Sequence, residues 1–445
     1  MDESRNDVDQ LFKEAAQNAA GLAHVLDPTK AIERGTERRK FARRRRSALS
    51  GLVVLVAVTV FLVPLPQLHL FGSGFARTAT GGHQSTTSSS SLVSTASTRS
   101  TATTSPVTGI GPPGGVIPAE FQAGSFTAVS LDEWWMLGTA RCLTGSGTCG
   151  AIVRTTDGGS SFAGIPSPPV SASDVTQLRF ANALDGYAFD PELWETTNGG
   201  TSWTRVATPG PVTELEAADG EAYALTCSAD SASCQSMVLL RSPVGPRGWQ
   251  KVLTPVALGY GAQFAVSGPN LYVLSGNEPP LVLLRSADRA ATFSRRVDPC
   301  TPGLGGELTA AADRSSTLWG VCPTGTMAAV MLSTNGSKTW RVATPSGEFP
   351  NSLGLAAASS SVALAWPGRE ISDAPPVAMD RTTNGGKSYS AVLSVSRSAT
   401  VRWAGFSDPA RAYALVEGGG SATATTHLYE SNDEGATWHR VAIKS

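Results

Sequence analysis

The sequence predicts an all-β fold: a seven-bladed β-propeller of four-stranded blades over residues 116–445, preceded by a cytoplasmic helix, one transmembrane helix and a disordered Ser/Thr-rich linker. Three observations predict it. An eight-residue turn phrase repeats at strides of 41 to 49 residues, the length of one four-stranded blade rather than of a helical repeat. A short apolar strand precedes each copy, and no segment past residue 116 keeps a helical period. One uncharged stretch upstream is long enough to cross a bilayer.

Residues 1–46 come first. Val8, Leu11, Phe12, Ala15, Ala19, Leu22 and Leu26 recur every three or four positions, one stripe of a helix, with Asp7 and Gln10 placed as a capping pair. Residues 8–26 are therefore expected to lie on the membrane surface or on a cytoplasmic protein partner. The short helix, Asp27-Pro28 and the basic run to Arg46 also resemble the cytoplasmic tails of some actinobacterial anti-sigma-like membrane proteins. That resemblance implies a signalling role.

Residues 47–70 form the expected span. Ala48 to Leu70 carries no charge, Arg43 to Arg46 sit directly before it, and the next charge is Arg77. The positive-inside bias puts the amino terminus in the cytoplasm and the remainder outside a bacterial cell membrane. A cleavable signal peptide competes with this reading, but its basic region would be 46 residues long and Pro64-Leu65-Pro66 offers no small-x-small cleavage site. Residues 71–115, rich in Ser and Thr and ending in Gly and Pro, bury too little apolar area to order and read as a tether.

The turn phrase reads most clearly as Thr196-Thr197-Asn198-Gly199-Gly200-Thr201-Ser202-Trp203. Its form is hydroxyl, any, Asp or Asn, any, Gly, any, hydroxyl, aromatic. Copies supply Asp157, Gly159 and Phe162; Asn198, Gly200 and Trp203; Asp288 and Phe293; Asn335 and Trp340; Asn384, Gly386 and Tyr389; and Asp433, Gly435 and Trp438. A degenerate copy from Ser242 to Trp249 fills the one double-length gap and completes seven. In each, the Asp or Asn oxygen is expected to accept backbone N–H bonds, the Gly to supply positive φ, and the ring to pack between sheets. Ala290 and Ser337 replace the Gly, and the Ser242 copy lacks the acid, so turn geometry is the open question there.

A second marker is an aromatic in the strand upstream of each phrase: Trp135, Tyr187, Tyr223, Tyr272, Trp319 and Tyr413, with Ala363 in the sixth blade. Naming the strands A to D, the phrase turns C into D. A–B and C–D turns then share one face of the ring, and B–C loops and D–A crossovers share the other.

The repeated phrase resembles that of the BNR or Asp-box propellers, which include sialidases, sortilin-type domains and photosystem II assembly factor-like proteins. The resemblance covers residues 116–445 and implies the fold more strongly than any activity. Sialidases need three arginines for a substrate carboxylate; their Arg-Ile-Pro motif would fall at Val116-Ile117-Pro118, where Val replaces the guanidinium. Arg141, Arg179, Arg369 and Arg402 give no reason to converge. No histidine lies between Phe126 and Thr426, and His427 and His439 are separated by a hairpin, so neither a His-based hydrolase nor a metal site is expected.

All six cysteines fall in the propeller. Cys142 with Cys149 and Cys227 with Cys234 flank B–C loops at identical spacing, leaving Cys300 with Cys322, an arrangement suited to disulfides outside the cytoplasm. Every cysteine and the longest loops lie on the B–C and D–A face, including Gly276 to Pro280, Pro367 to Pro376 and Glu417 to Thr425. Variable loops on a fixed scaffold are where binding resides. That face is therefore expected to bind an extracytoplasmic protein or glycan without catalysis, its acids (Asp190, Glu192, Glu278, Glu307, Glu348, Asp373, Glu417) serving solubility. Trp194 and Trp366, placed just outside their strands, are expected to close gaps between blades or to stack on ligand. No cofactor is expected. Residues 1–46 carry 11 Lys and Arg against 8 Asp and Glu, and the remainder 24 against 28, so no basic face for nucleic acid is implied. Alternatives are a sensor coupled to the residue 8–26 helix and a divergent glycosidase.

Overall fold

The computed structural model describes residues 115–445, apart from 143–146, 230–233, 246–247, 277–280, 301–305, 325–326, 345–348, 351–352, 368–378, 396–398, 419–424 and 445. The expected cytoplasmic helix, the span and the linker to residue 114 lie outside them. No helix among the described residues is long and apolar enough to cross a membrane.

Seven antiparallel sheets follow one another along the chain, each with four strands in the order A-B-C-D and two of them with a short fifth strand paired onto strand C. Strands A run Gln122–Ala128, Val175–Phe180, Val212–Ala218, Gln263–Ser267, Glu307–Ala310, Leu353–Ala357 and Thr400–Asp408. These are the innermost strands, because side chains bridge them from blade to blade. Ser125 Oγ accepts from Leu178 N at 3.0 Å, Glu214 Oε1 from Phe264 N at 3.1 Å and Gln263 Oε1 from Leu308 N at 2.9 Å. An edge strand offers unpaired N–H groups, and these polar side chains occupy them. Arg179 and Glu216 add a buried ion pair at 3.0 Å between the second and third blades.

Every sheet is one contiguous segment, so the ring closes by packing and not by exchange of a strand. Tyr413 of the last blade meets Phe126 and Trp134 of the first at ring-centroid distances of 4.6 and 5.0 Å. Phe162 N donates to Lys444 O at 2.8 Å, and Thr426 N donates to Gln122 Oε1 at 2.7 Å. Gly115 bridges to Gly164 on the outer strand of the first blade, which is where the described chain enters the ring.

The turn phrases share one geometry. Thr155 Oγ1 donates to Asp157 Oδ1 at 2.7 Å and accepts from Gly159 N at 3.0 Å, while Ser161 N donates to Asp157 Oδ1 at 2.9 Å. The leading hydroxyl residue is buried in all seven copies, Ser242 included. Ala290 and Ser337 keep the turn: both hold φ of 62°, and their N–H groups donate to Ser286 Oγ and Ser333 Oγ at 2.9 and 3.0 Å. In the copy without an acid, Gly245 takes φ 98°, Val244 N donates to Gly220 O at 2.9 Å, and the Trp249 ring still packs edge-on against Tyr187. The closing rings reach back to the preceding blade, Trp203 Nε1 donating to Pro166 O and Tyr389 OH to Ala343 O, both at 2.9 Å.

The B-strand aromatics are all buried and fill the seam with the following blade; Trp135 stacks on Phe180 with centroids 4.0 Å apart. The sixth blade corrects the sequence reading. Ala363 pairs with Thr382 as Trp134 pairs with Thr155, so the residue in the aromatic's place is Leu364, opposite Arg381. Leu364 is fully buried, and a Cβ on Gly435 of the seventh blade would stand 2.8 Å from it. Counting back from the phrase misses this because B–C loop lengths differ, whereas the ladder from the leading hydroxyl sets register.

Candidate functional site

Chain direction places the two faces as expected. In six blades a turn-phrase N–H bonds to the A–B turn of its own sheet, as Gly158 N to Asp132 O at 3.1 Å and Gly385 N to Ser361 O at 2.9 Å. That face is committed to holding its own turns. Asp157, Asp288 and Asp433 spend their oxygens within them. The Ser161 and Thr292 hydroxyls hold the first two carboxyls down at about 2; for Asp433 burial pulls upward, but Thr437 outweighs it and the value is again about 2.

The opposite face carries all three disulfides: Cys142–Cys149, Cys227–Cys234 and Cys300–Cys322. The first two close B–C loops of the first and third blades. The third ties the crossover between the fourth and fifth blades to strand B of the fifth, and both of its cysteines are buried. On this face the third and fifth blades gain short strands, Leu258–Gly259 and Phe349–Pro350, in which the crossover pairs back onto strand C. Loop tips named in the sequence reading, with Glu278, Glu348, Asp373 and Arg369, lie outside the described residues.

Several of the described acids here have side-chain partners. Glu192 accepts from Trp194 Nε1 at 3.0 Å and pairs with Arg205 at 2.7 Å; Asp190 Oδ2 accepts from Thr176 Oγ1 at 2.7 Å; Glu417 pairs with Arg402. Asp298, in the crossover before Cys300, accepts from Cys300 N at 3.0 Å, and its other oxygen is enclosed without a partner among the described residues. Burial raises its pKa. The arginines are each held by a different carboxylate: Arg141 by Glu120, Arg179 by Glu216 and Arg402 by Glu417.

Trp194 and Trp366 lie inside strands, not beyond them, and are buried: Trp194 packs among residues of the first and second blades, Trp366 among those of the sixth and seventh. They close gaps between blades. His427 sits beside Arg440, with Nδ1 2.9 Å from the guanidinium, and burial together with that charge lowers its pKa. Among the described residues no group of three or more His, Cys, Asp or Glu is placed to hold a metal ion.

No family model and no curated relative matches the chain. Solved structures do match in architecture. A YCF48 bound to D1 peptide is 15% identical, with 72% of this chain and 95% of that one covered and a TM-score of 0.48. YCF48 from Cyanidioschyzon merolae is 12% identical, covering 72% and 98%, with a TM-score of 0.47. The β-propeller domain of the Trilobed protease from Pyrococcus furiosus is 7% identical, covering 74% and 97%, with a TM-score of 0.49. The fold assignment rests on the chain's own seven sheets.

Proposed function

We propose that this chain is a non-catalytic binding propeller, held by residues 47–70 in a bacterial membrane and displayed outside the cell, that takes an extracytoplasmic protein or surface glycan on its B–C and D–A face. One observation carries the reading: the three disulfides all staple that face and none staples the other. Short loops pinned at their bases lose less entropy when a ligand orders them, so bridges there favour binding as well as stability. On the opposite face the Asp and Asn side chains of the turn phrases are taken up by hydrogen bonds within their own turns.

The test uses the full chain in nanodiscs. Surface proteins and a glycan array are offered before and after mild reduction, and the eluted chain is assayed for hydrolysis of bound material. Retained, unhydrolysed ligand that is lost on reduction supports the reading. Cleaved ligand, or binding indifferent to both reduction and chemical blocking of the stapled face, overturns it.

A further inference from the structure

The axial mouth on the stapled face is not sevenfold symmetric. In the first blade the A–B ladder passes from Ala123–Gly138 to Ser125–Leu137 and skips Gly124. In the seventh it skips Arg402 and in the third Thr213. In the second blade Thr176 and Asp190 drop out together. The ladders of the fourth, fifth and sixth blades run uninterrupted over Gln263–Ser267, Glu307–Ala310 and Leu353–Ala357. The seventh, first and third blades thus bulge in their innermost strand near its first residues, the end that opens onto this face, and the second leaves one facing pair unbridged there with its register unchanged. All four A-strand residues left out of the ladder are exposed, beside buried neighbours such as Ala123, Val175, Val212 and Val401. Bulges at such places re-aim a side chain out of the sheet.

Gly124 has no backbone need to be glycine, since it is not among the positive-φ positions, and no packing need either. A Cβ there would meet nothing nearer than Leu137 O at 3.7 Å, an ordinary contact. Its missing side chain therefore leaves open space beside the bulge.

Around that space the hydrogen-bonding groups are half used. Thr176 Oγ1 donates to Asp190 Oδ2 at 2.7 Å and Thr213 Oγ1 to Leu225 O at 3.5 Å, so both hydroxyl oxygens can still accept. Gln122 Oε1 accepts from Thr426 N at 2.7 Å and Gln177 Oε1 from Ser125 Oγ at 3.3 Å. Neither amide nitrogen has a partner among the described residues, so each can donate. Arg402, the residue at the bulge of the seventh blade, is paired with Glu417.

We propose that this sector is the seat for a neutral saccharide, centred on Gly124 and hydrogen-bonded by Thr176, Thr213, Gln122 and Gln177. The proposal rests on the binding role given above and names the ligand class. Hydroxyl groups both donate and accept, which matches two open acceptors and two open donors carrying no net charge. An anionic ligand would find the Arg402 cation already paired. An extended peptide adds to one continuous strand edge, whereas here the hydrogen-bonding groups come from three separate sheets.

The full chain in nanodiscs is titrated with neutral, N-acetylated, sialylated and sulfated oligosaccharides, and in parallel with solubilised surface proteins. Neutral oligosaccharides are expected to bind. Gly124→Phe is expected to weaken them at least tenfold, and Thr213→Val by about fivefold, one neutral hydrogen bond's worth, with unchanged melting temperatures. Leu184→Phe on the opposite face is expected to change nothing. If Gly124→Phe melts early, Gly124→Ser and Thr213→Val carry the test. Binding confined to sialylated or sulfated probes overturns the proposal, as does saccharide binding that survives Gly124→Phe and Thr213→Val. A surface protein captured on the stapled face with no saccharide bound overturns the seat but leaves the binding role standing; capture of neither probe sinks both.

Discussion

The Ser161 hydroxyl donates to Asp157 Oδ2 at 2.6 Å, and the equivalent pair one blade later runs the other way, Asn198 Nδ2 donating to the Ser202 hydroxyl at 2.9 Å. The same turn is thus built with a titrating residue in three blades and a non-titrating one in three others. Asp288 and Asp433 follow Asp157; Asn335 and Asn384 follow Asn198.

This difference predicts an acid limb of stability. The folded pKa of about 2 at Asp157, set first by the Ser161 hydroxyl, and of about 2 at Asp288, set by Thr292, lies below the unfolded value. The carboxylates' contribution is therefore full above about pH 4 and is lost as pH falls toward 2. A triple Asp157→Asn, Asp288→Asn, Asp433→Asn variant is expected to fold, since Asn serves in the other blades, and to lose stability less steeply between pH 4 and 2.5. Urea midpoints across that window check it; an unchanged slope would place the acid sensitivity elsewhere.

Gly386 holds φ of 83°, and a Cβ there would lie 2.0 Å from Ala343 O in the preceding blade. Gly386→Ala is expected to cost more than about 2 kcal/mol, left-handed strain plus displacement of a backbone carbonyl. Ala290→Gly, at φ 62°, relieves left-handed strain but removes a buried methyl from the seam of the third and fourth blades, so the two effects offset and the net change is expected to lie within about 1 kcal/mol of zero. Denaturant unfolding of the two variants measures both changes.

Leu364 fills the seam between the sixth and seventh blades, so Leu364→Ala is expected to destabilise by about 2–5 kcal/mol. Leu364→Met, which conserves volume, should cost less than about 1.5 kcal/mol. Equal losses for the two would mean that the seam is held by other contacts, such as Arg381 with Glu434 at 3.1 Å.

The disulfides differ in the loops that they close, with separations of 7, 7 and 22 residues. Chain entropy assigns at most about 2.5 kcal/mol to each short bridge and about 3.4 kcal/mol to the long one. Replacing Cys300 and Cys322 together by Ala is expected to lower the melting temperature most. Calorimetry of three double-Ala variants ranks them, and a larger loss from either short bridge would contradict the assignment.

Period, turn chemistry and cysteine spacing were enough to read seven sheets, their strand order, three bridges and the stapled face, because each is a local property repeated or paired along the chain. Ser242 was legible as a degenerate seventh copy, since only its leading hydroxyl and closing ring need survive to hold the seam. Leu364 was not legible, because strand register passes through a hairpin of unpredictable length. Trp194 and Trp366 looked peripheral for the same reason: where a strand ends depends on its partner. The break at Gly124, Thr176, Thr213 and Arg402 left no mark in the sequence. A bulge is a mismatch between two strands, and only the assembled ring brings three of them, with the unbridged Thr176–Asp190 pair, from separate blades to one mouth. Repetition along the chain determined what each blade is; closure of the ring decided which of its residues face the axis, because that depends on contacts between residues as far apart as Gln122 and Thr426.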